Sequence, residues 1–235
     1  MIEEKQKGTM HPLNILADEA YQAFSEMGFE IATGPELESE WYNFDVLNVP
    51  KDHPARDMQD TFVIKNEKEK VLRTHTTSVT ARAIEQANKE GIKNCAFISI
   101  GKVFRNEATD FSHEMQFFQI DGSMVGENIS IADLKGVLTH FYKKMLGPDV
   151  EIEFRPSFFP FTEPSLEVFA KFKGNWLEMM GAGMLHPNVL RNIGLDPEKV
   201  QGFAFGGGLD RIAMIKWGIP DVRLFYQGDL RLNQF

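Results

Sequence analysis

A chain of 235 residues with 43% apolar content is long enough to bury a substantial core within one domain. Its formal charge of −9 argues against general affinity for a polyanion, because phosphate-backbone binding draws its strength from clustered lysine and arginine. No apolar run approaches the roughly 18–20 residues of a membrane span, the polar start Met1-Ile2-Glu3-Glu4-Lys5 is unlike a signal peptide, and the single cysteine, Cys95, can make no internal disulfide. A cytoplasmic protein with no membrane contact and no structural zinc is expected.

The predicted elements begin with a helix from Pro12, where Leu13, Leu16, Ala17, Ala20 and Phe24 recur at helical spacing and Gly28 is the stop. A strand starts at Phe29-Glu30-Ile31 and breaks at Gly34-Pro35; Glu36 to Leu47 is expected to be a helix and Asn48 to Asp60 a loop. Lys65 to Lys70 reads as a solvated turn, Val71 to Thr74 as a strand, and Ser78 to Asn88 as a helix with Gly91 just beyond it. Ala96 to Phe104 and Phe117 to Val125 form a hairpin with a long polar loop. Ile131 to Met145 is a helix ended by Gly147-Pro148, and Val150 to Phe154 alternates as a half-buried strand. Glu167 to Phe172 and Trp176 to Met180 are strands around a Lys173-Gly174-Asn175 turn; Phe203 to Phe205 is a last strand before a final helix. Strands that arrive as hairpins define an α+β fold: an antiparallel β-sheet flanked by helices, which are expected on one side only. A tail over residues 1–9 precedes one domain over residues 10–235.

Arg105 ends a strand inside Lys102-Val103-Phe104-Arg105-Asn106-Glu107, and Arg211 follows Gly206-Gly207-Gly208 at the start of a helix. Backbone N–H groups and a guanidinium can there meet one anionic ligand, so the pair suggests a triphosphate clamp. No Gly-x-Gly-x-x-Gly or Gly-Lys-Ser/Thr loop is present, which argues against dinucleotide and Walker-type sites. Phe159-Pro160-Phe161, read as extended, puts two rings on one side; from the residues alone this aromatic run reads as core rather than pocket. Phe117 and His75 likewise fit core positions.

In this order the motifs resemble those of class II aminoacyl-tRNA synthetases, and in detail the family of phenylalanyl-tRNA synthetase alpha subunits. Gly34-Pro35-Glu36 is similar to the first class II motif, Val103 to Glu107 through Gln119-Ile120-Asp121-Gly122 to the second, and Gly202 to Gly206 through Arg211 to the third. Leu72-Arg73-Thr74-His75-Thr76-Thr77, the run Arg155 to Ser165 and Gly181 to Pro187 narrow the resemblance.

The resemblance implies activation of L-phenylalanine with ATP and magnesium, then transfer to tRNA(Phe), in an α2β2 assembly with a beta subunit. It implies that Arg105 and Arg211 are catalytic and bind ATP with Glu107, His113 and Phe117. It assigns phenylalanine to His75, Thr77, Gln119, Asp121, Phe159, Phe161, Ala204 and Gly206, the last two leaving room for the far end of the ring. Glu163 resembles a carboxylate that binds magnesium jointly with the beta subunit. Two departures stand out. Asp121 occupies a position where glutamate is more usual, and residues 1–9 are too short for the family's helical arm. A free-standing paralogue that forms an aminoacyl adenylate without charging tRNA, and a non-catalytic regulatory protein with the same fold, are the alternatives.

Overall fold

Proline lacks the N–H that a first helical turn would leave unsatisfied, and helix α1 (Pro12–Glu26) starts on one, with the His11 ring accepting from the Leu13 N–H at 3.2 Å. In this computed structural model, which describes residues 8–56, 61–67, 69–106, 114–228 and 232, the α1 face of Leu13, Leu16, Ala20, Ala23 and Phe24 is buried. Gly28, at φ 85°, turns the chain into the short strand β1 (Glu30–Ile31).

The segment Glu36 to Leu47 is not the expected helix. Leu37–Ser39 forms β2, paired antiparallel with β3 (Lys70–Leu72), and only Trp41–Asp45 winds, as one π-helical turn. The run Trp41-Tyr42-Asn43-Phe44-Asp45 consists of weak helix formers, and separate neighbours claim its side chains. Phe44 enters the core, Asn43 makes paired bonds to Thr74, and the Tyr42 hydroxyl donates to Glu85.

Helix α2 (Thr77–Lys89) leads into the hairpin of β4 (Cys95–Phe104) and β5 (Gln116–Gly126). Helix α3 (Ile131–Leu146) opens on a capping box of Ser130 and Asp133. Strands β6 (Ile152–Phe159), β7 (Thr162–Phe172) and β8 (Asn175–Leu185) then run back and forth, longer than their sequence pattern indicates. Lys173 and Gly174 make the β7–β8 turn at φ 48° and 84°, the left-handed pair that a tight two-residue hairpin demands. A short helix α4 (Pro187–Asn192), not anticipated from the sequence, precedes β9 (Gln201–Gly208) and α5 (Leu209–Trp217).

The seven-stranded sheet runs β1-β4-β5-β9-β8-β7-β6 and is antiparallel except at β1–β4. Alternation along the strands gives its faces opposite characters. Ile98, Ile120, Phe203 and Phe205 pack beneath α1, α3 and α5, beside Leu16, Phe24, Leu138 and Phe141. Gln119, Asp121 and Ser123 on β5, and Ala204 and Gly206 on β9, occupy the alternate positions and point the other way. Helices were expected on one side only, but α2 and α4 lie against this second face, where Ile84, Val189 and Leu190 join Val125, Leu185 and Ala204. The Ser123 hydroxyl donates to that of Thr80 on α2 at 3.2 Å. This second layer is partial, because polar residues and glycines offer it little apolar surface to bury, and the uncovered floor becomes a cavity. No helix among the described residues is long and apolar enough to cross a membrane.

Candidate active site

The cavity measures about 1050 Å³ and is lined by residues from β5, β8, β9, α5 and the turn between β6 and β7. Arg105 stands one residue past the end of β4, where its N–H donates to the Met115 carbonyl at 2.9 Å. Its guanidinium lies 5.1 Å from the ring centroid of Phe117, at the start of β5. Arg211 projects from the first turn of α5, whose N-cap is Gly208. Both arginines, Gly207 and Gly208 line the same cavity.

Deeper on the β5 floor, the Asp121 carboxylate is buried and accepts from the Thr76 and Thr77 hydroxyls at 2.5 and 2.6 Å. Burial pushes this carboxyl up to about 6, against the opposing pull of the threonine hydroxyls and the Arg73 charge. Gln119 is buried beside it, and its Oε1 finds no hydrogen-bond partner among the described residues; the same holds for His75 Nδ1. Burial, with the Arg105 charge in support, pushes the imidazole of His75 down to about 4, so it is neutral at neutral pH.

Gly206 sits opposite Asp121 across the β5–β9 pair, and a Cβ there would come within 2.2 Å of Asp121 Oδ1. A side chain at this position would therefore collide with the carboxylate, and the glycine itself lines the cavity, as does Ala204, a buried residue of β9.

Phe159-Pro160-Phe161 is also not the extended segment expected. Phe159 closes β6 and pairs with Thr162, the first residue of β7, so Pro160 and Phe161 form a tight turn. The Phe159 and Phe161 rings consequently stack almost parallel, 5.7 Å apart and inclined by 7°. Phe159 lies over Gly181 of β8, where a Cβ would approach its ring to 2.8 Å.

Not every expected residue joins this group. Glu163 lies outside the cavity lining with a side chain 73% exposed, its neighbour being His186 Nε2 at 3.4 Å. No group of three or more histidine, cysteine or acidic side chains suited to a metal ion occurs among the described residues. Glu107 and His113 fall outside the described residues.

Several lining or supporting residues carry little signal in the sequence. Glu114 and Glu178 line the cavity. Asp210 is buried beside Arg211 and accepts from the Phe118 N–H and the Tyr226 hydroxyl, each at 2.7 Å. Burial pushes Asp210 up to about 7. Arg73 donates from Nε to the Lys102 carbonyl at 2.8 Å and from Nη1 to Gly34 at 3.0 Å, passing over Gly101 where no side chain could fit. Its place beside Thr74 and His75 was the available clue.

An antiparallel sheet with arginines on a motif hairpin and on the helix after the last strand defines the class II synthetase type. A crystal structure of pyrrolysyl-tRNA synthetase from Desulfitobacterium hafniense has this fold, with a TM-score of 0.73 over 92% of this chain and 74% of that one at 17% identity. The family described as tRNA synthetases class II core domain (F) matches residues 1–235. Proteins named phenylalanine-tRNA ligase alpha subunit are similar throughout: that of Lysinibacillus sphaericus is 51% identical over 97% of this chain and 68% of its own length. That of Macrococcus caseolyticus is 51% identical over 97% of this chain and 67% of its own length. The chain belongs to the class II tRNA synthetase core family, in the branch that carries the (F) designation.

Proposed function

We propose that this chain is the catalytic subunit of a phenylalanine-tRNA ligase, joining L-phenylalanine to ATP as phenylalanyl-adenylate and then passing the aminoacyl group to tRNA(Phe). The observation that carries the reading is a single cavity in which Arg105 and Arg211 share walls with Gln119, Asp121 and a stacked pair of phenyl rings. The names of relatives 51% identical to it support the same choice of substrate.

Adenylate formation is a displacement at phosphorus. A substrate carboxylate oxygen bonds to the α-phosphorus while the bond to the pyrophosphate oxygen breaks. No proton has to move, so positioning and charge neutralisation carry the rate. In our reading Arg105 meets the charge that accumulates on the α-phosphate, Phe117 stacks on adenine, and Arg211 with the N-terminal N–H groups of α5 receives the far end of the triphosphate. Glu107 and His113 are assigned to the nucleotide as well. The unpartnered Gln119 Oε1 accepts from the substrate ammonium, with Asp121 as the negative charge behind it. Thr77 fixes that carboxylate, and neutral His75 presents its free Nδ1 without adding positive charge. Phe159 and Phe161 hold the substrate ring, with Ala204 and Gly206 at its far end.

Magnesium that arrives with ATP offsets phosphate charge and is held mainly by phosphate oxygens and water, with few protein carboxylates. Glu114 and Glu178, on the cavity wall, fit that demand. Glu163 offers an exposed carboxylate that belongs to no group of three or more potential ligands among the described residues, which fits a site completed by another chain. We assign it that role with a beta subunit, in a cytoplasmic α2β2 assembly that dimerises through Gly34-Pro35-Glu36.

Amino-acid-dependent ATP–pyrophosphate exchange, run with and without a beta subunit, tests the proposal. Exchange driven by phenylalanine in the presence of the partner is expected, and Arg105→Ala should lower it by roughly a hundredfold or more. Absence of phenylalanine-driven exchange under both conditions removes the proposal.

A further inference from the structure

The turn that bears the stacked rings is held from outside by a relay of side-chain amides that the mechanism above does not use. The Pro160 carbonyl accepts from Asn48 Nδ2 at 2.8 Å, and the Phe161 carbonyl accepts from the His186 N–H at 2.9 Å. Asn48 Oδ1 accepts from Asn188 Nδ2, and Asn188 Oδ1 accepts from Arg191 Nη1, both at 3.0 Å. A guanidinium can only donate and a peptide carbonyl can only accept, so the two ends of this relay fix the orientation of both amides between them. Helix α4, which carries Asn188 and Arg191, is tied in turn to the π-helical segment. Asn192 Nδ2 donates to the carbonyls of Asp45 and Val46, each at 3.2 Å. Asn48 itself holds φ 58°, a left-handed backbone that asparagine tolerates better than most residues.

Asn48 is not part of the cavity lining, so it reaches a bound ligand only through the turn. The ring pair it supports is closely packed: the two rings stack with centroids 5.7 Å apart, and Phe159 rests where a Cβ on Gly181 would come within 2.8 Å of it. We propose that Asn48 is a positioning residue for side-chain selection, which through Pro160 fixes the Phe159–Phe161 pair against β8 and sets how tightly an aromatic amino acid is held. This inference rests on the phenylalanine reading.

The test is steady-state ATP–pyrophosphate exchange by the chain with a beta subunit, comparing the unaltered protein with Asn48→Gly and Asn48→Asp. Glycine keeps the left-handed backbone and deletes the amide; aspartate keeps the shape but turns an acceptor towards the Pro160 carbonyl. KM for phenylalanine should rise roughly tenfold in Asn48→Gly, and further in Asn48→Asp, while KM for ATP stays within about twofold. Preference for phenylalanine over cyclohexylalanine should also fall, because ring-to-ring geometry is lost before simple burial. Asn188→Ala, at an exposed position, leaves Asn48 in place and should shift KM in the same direction by a smaller factor; it decides the matter if the Asn48 variants fail to fold. A lower melting temperature with KM for phenylalanine unchanged, or a parallel rise in both KM values, overturns the inference in favour of a general structural role. An unaltered protein that activates some other amino acid defeats the functional reading itself. One that prefers phenylalanine while all variants match it defeats only this inference.

Discussion

Replacing Gly206 by alanine adds one methyl group, and its effect can be worked from the geometry. The new Cβ would sit 2.2 Å from Asp121 Oδ1, more than 1 Å inside ordinary van der Waals contact. Backbone cannot retreat easily, because Gly206 is paired with Asp121 on one side and with Gly181 on the other. The carboxylate must move instead, and it is held by hydroxyl contacts of 2.5 and 2.6 Å from Thr76 and Thr77. Hydrogen bonds to a charged group are worth about 1.5–3 kcal/mol each, so stretching both should cost about 2–4 kcal/mol of stability. In a chain of this size that corresponds to a fall in Tm of roughly 5–15 °C. Urea unfolding at pH 7.5 measures the loss, and exchange kinetics should give a KM for phenylalanine raised tenfold or more in parallel. At pH 5 Asp121 is largely protonated, its bonds to the threonines are those of a neutral group, and the penalty should shrink to about half. A variant within about 0.5 kcal/mol of the parent, with KM unchanged, would refute the packing argument.

Ala204→Gly should admit para-substituted substrates, seen as activation of 4-chlorophenylalanine that the parent lacks; unchanged rejection would place the far end of the ring elsewhere. The Tyr142 hydroxyl is fully buried without a hydrogen-bond partner among the described residues, so Tyr142→Phe should be neutral or stabilising by up to about 1 kcal/mol in urea unfolding. KM for phenylalanine should rise as pH falls through about 6, where Asp121 loses the charge that opposes the ammonium; a flat profile between pH 5 and 7 counts against that role. Because Asp121 and Asp210 are raised to about 6 and about 7, the folded chain keeps protons that the unfolded chain releases. Their contribution to unfolding free energy therefore declines as pH climbs from the ordinary carboxyl range towards 7, and removing either acid should flatten that slope.

Features set by neighbouring residues were legible in the sequence, and features set by distant ones were not. The β4–β5 hairpin, α3 and the Lys173-Gly174 turn announce themselves through periodicity and turn chemistry. Arg105 and Arg211 could be singled out because a strand end and a glycine run flag them locally. By contrast, α4 is six residues long and too short to show a period. Trp41 to Asp45 mixes polar and aromatic residues in a way that fits helix or turn, and pairing of β2 with β3 decides the outcome. Phe-Pro-Phe is compatible with extended chain and with a turn, because proline fixes only its own φ and biases the residue before it. Thr76 and Asp121, or Gly206 and Asp121, meet only through tertiary folding, so no spacing rule could expose the clamp on the carboxylate. The second helical layer is illegible in the sequence for the same reason: it depends on which strand face remains bare.

Gly206 and Gly181 each stand where a methyl group would strike a side chain of the candidate pocket, Asp121 in one case and Phe159 in the other. Libraries meant to broaden amino-acid choice gain little from randomising them, since any side chain there displaces a neighbour on the pocket wall. Variation is better directed at Ala204, where shrinking a side chain enlarges the slot without disturbing the machinery that borders it.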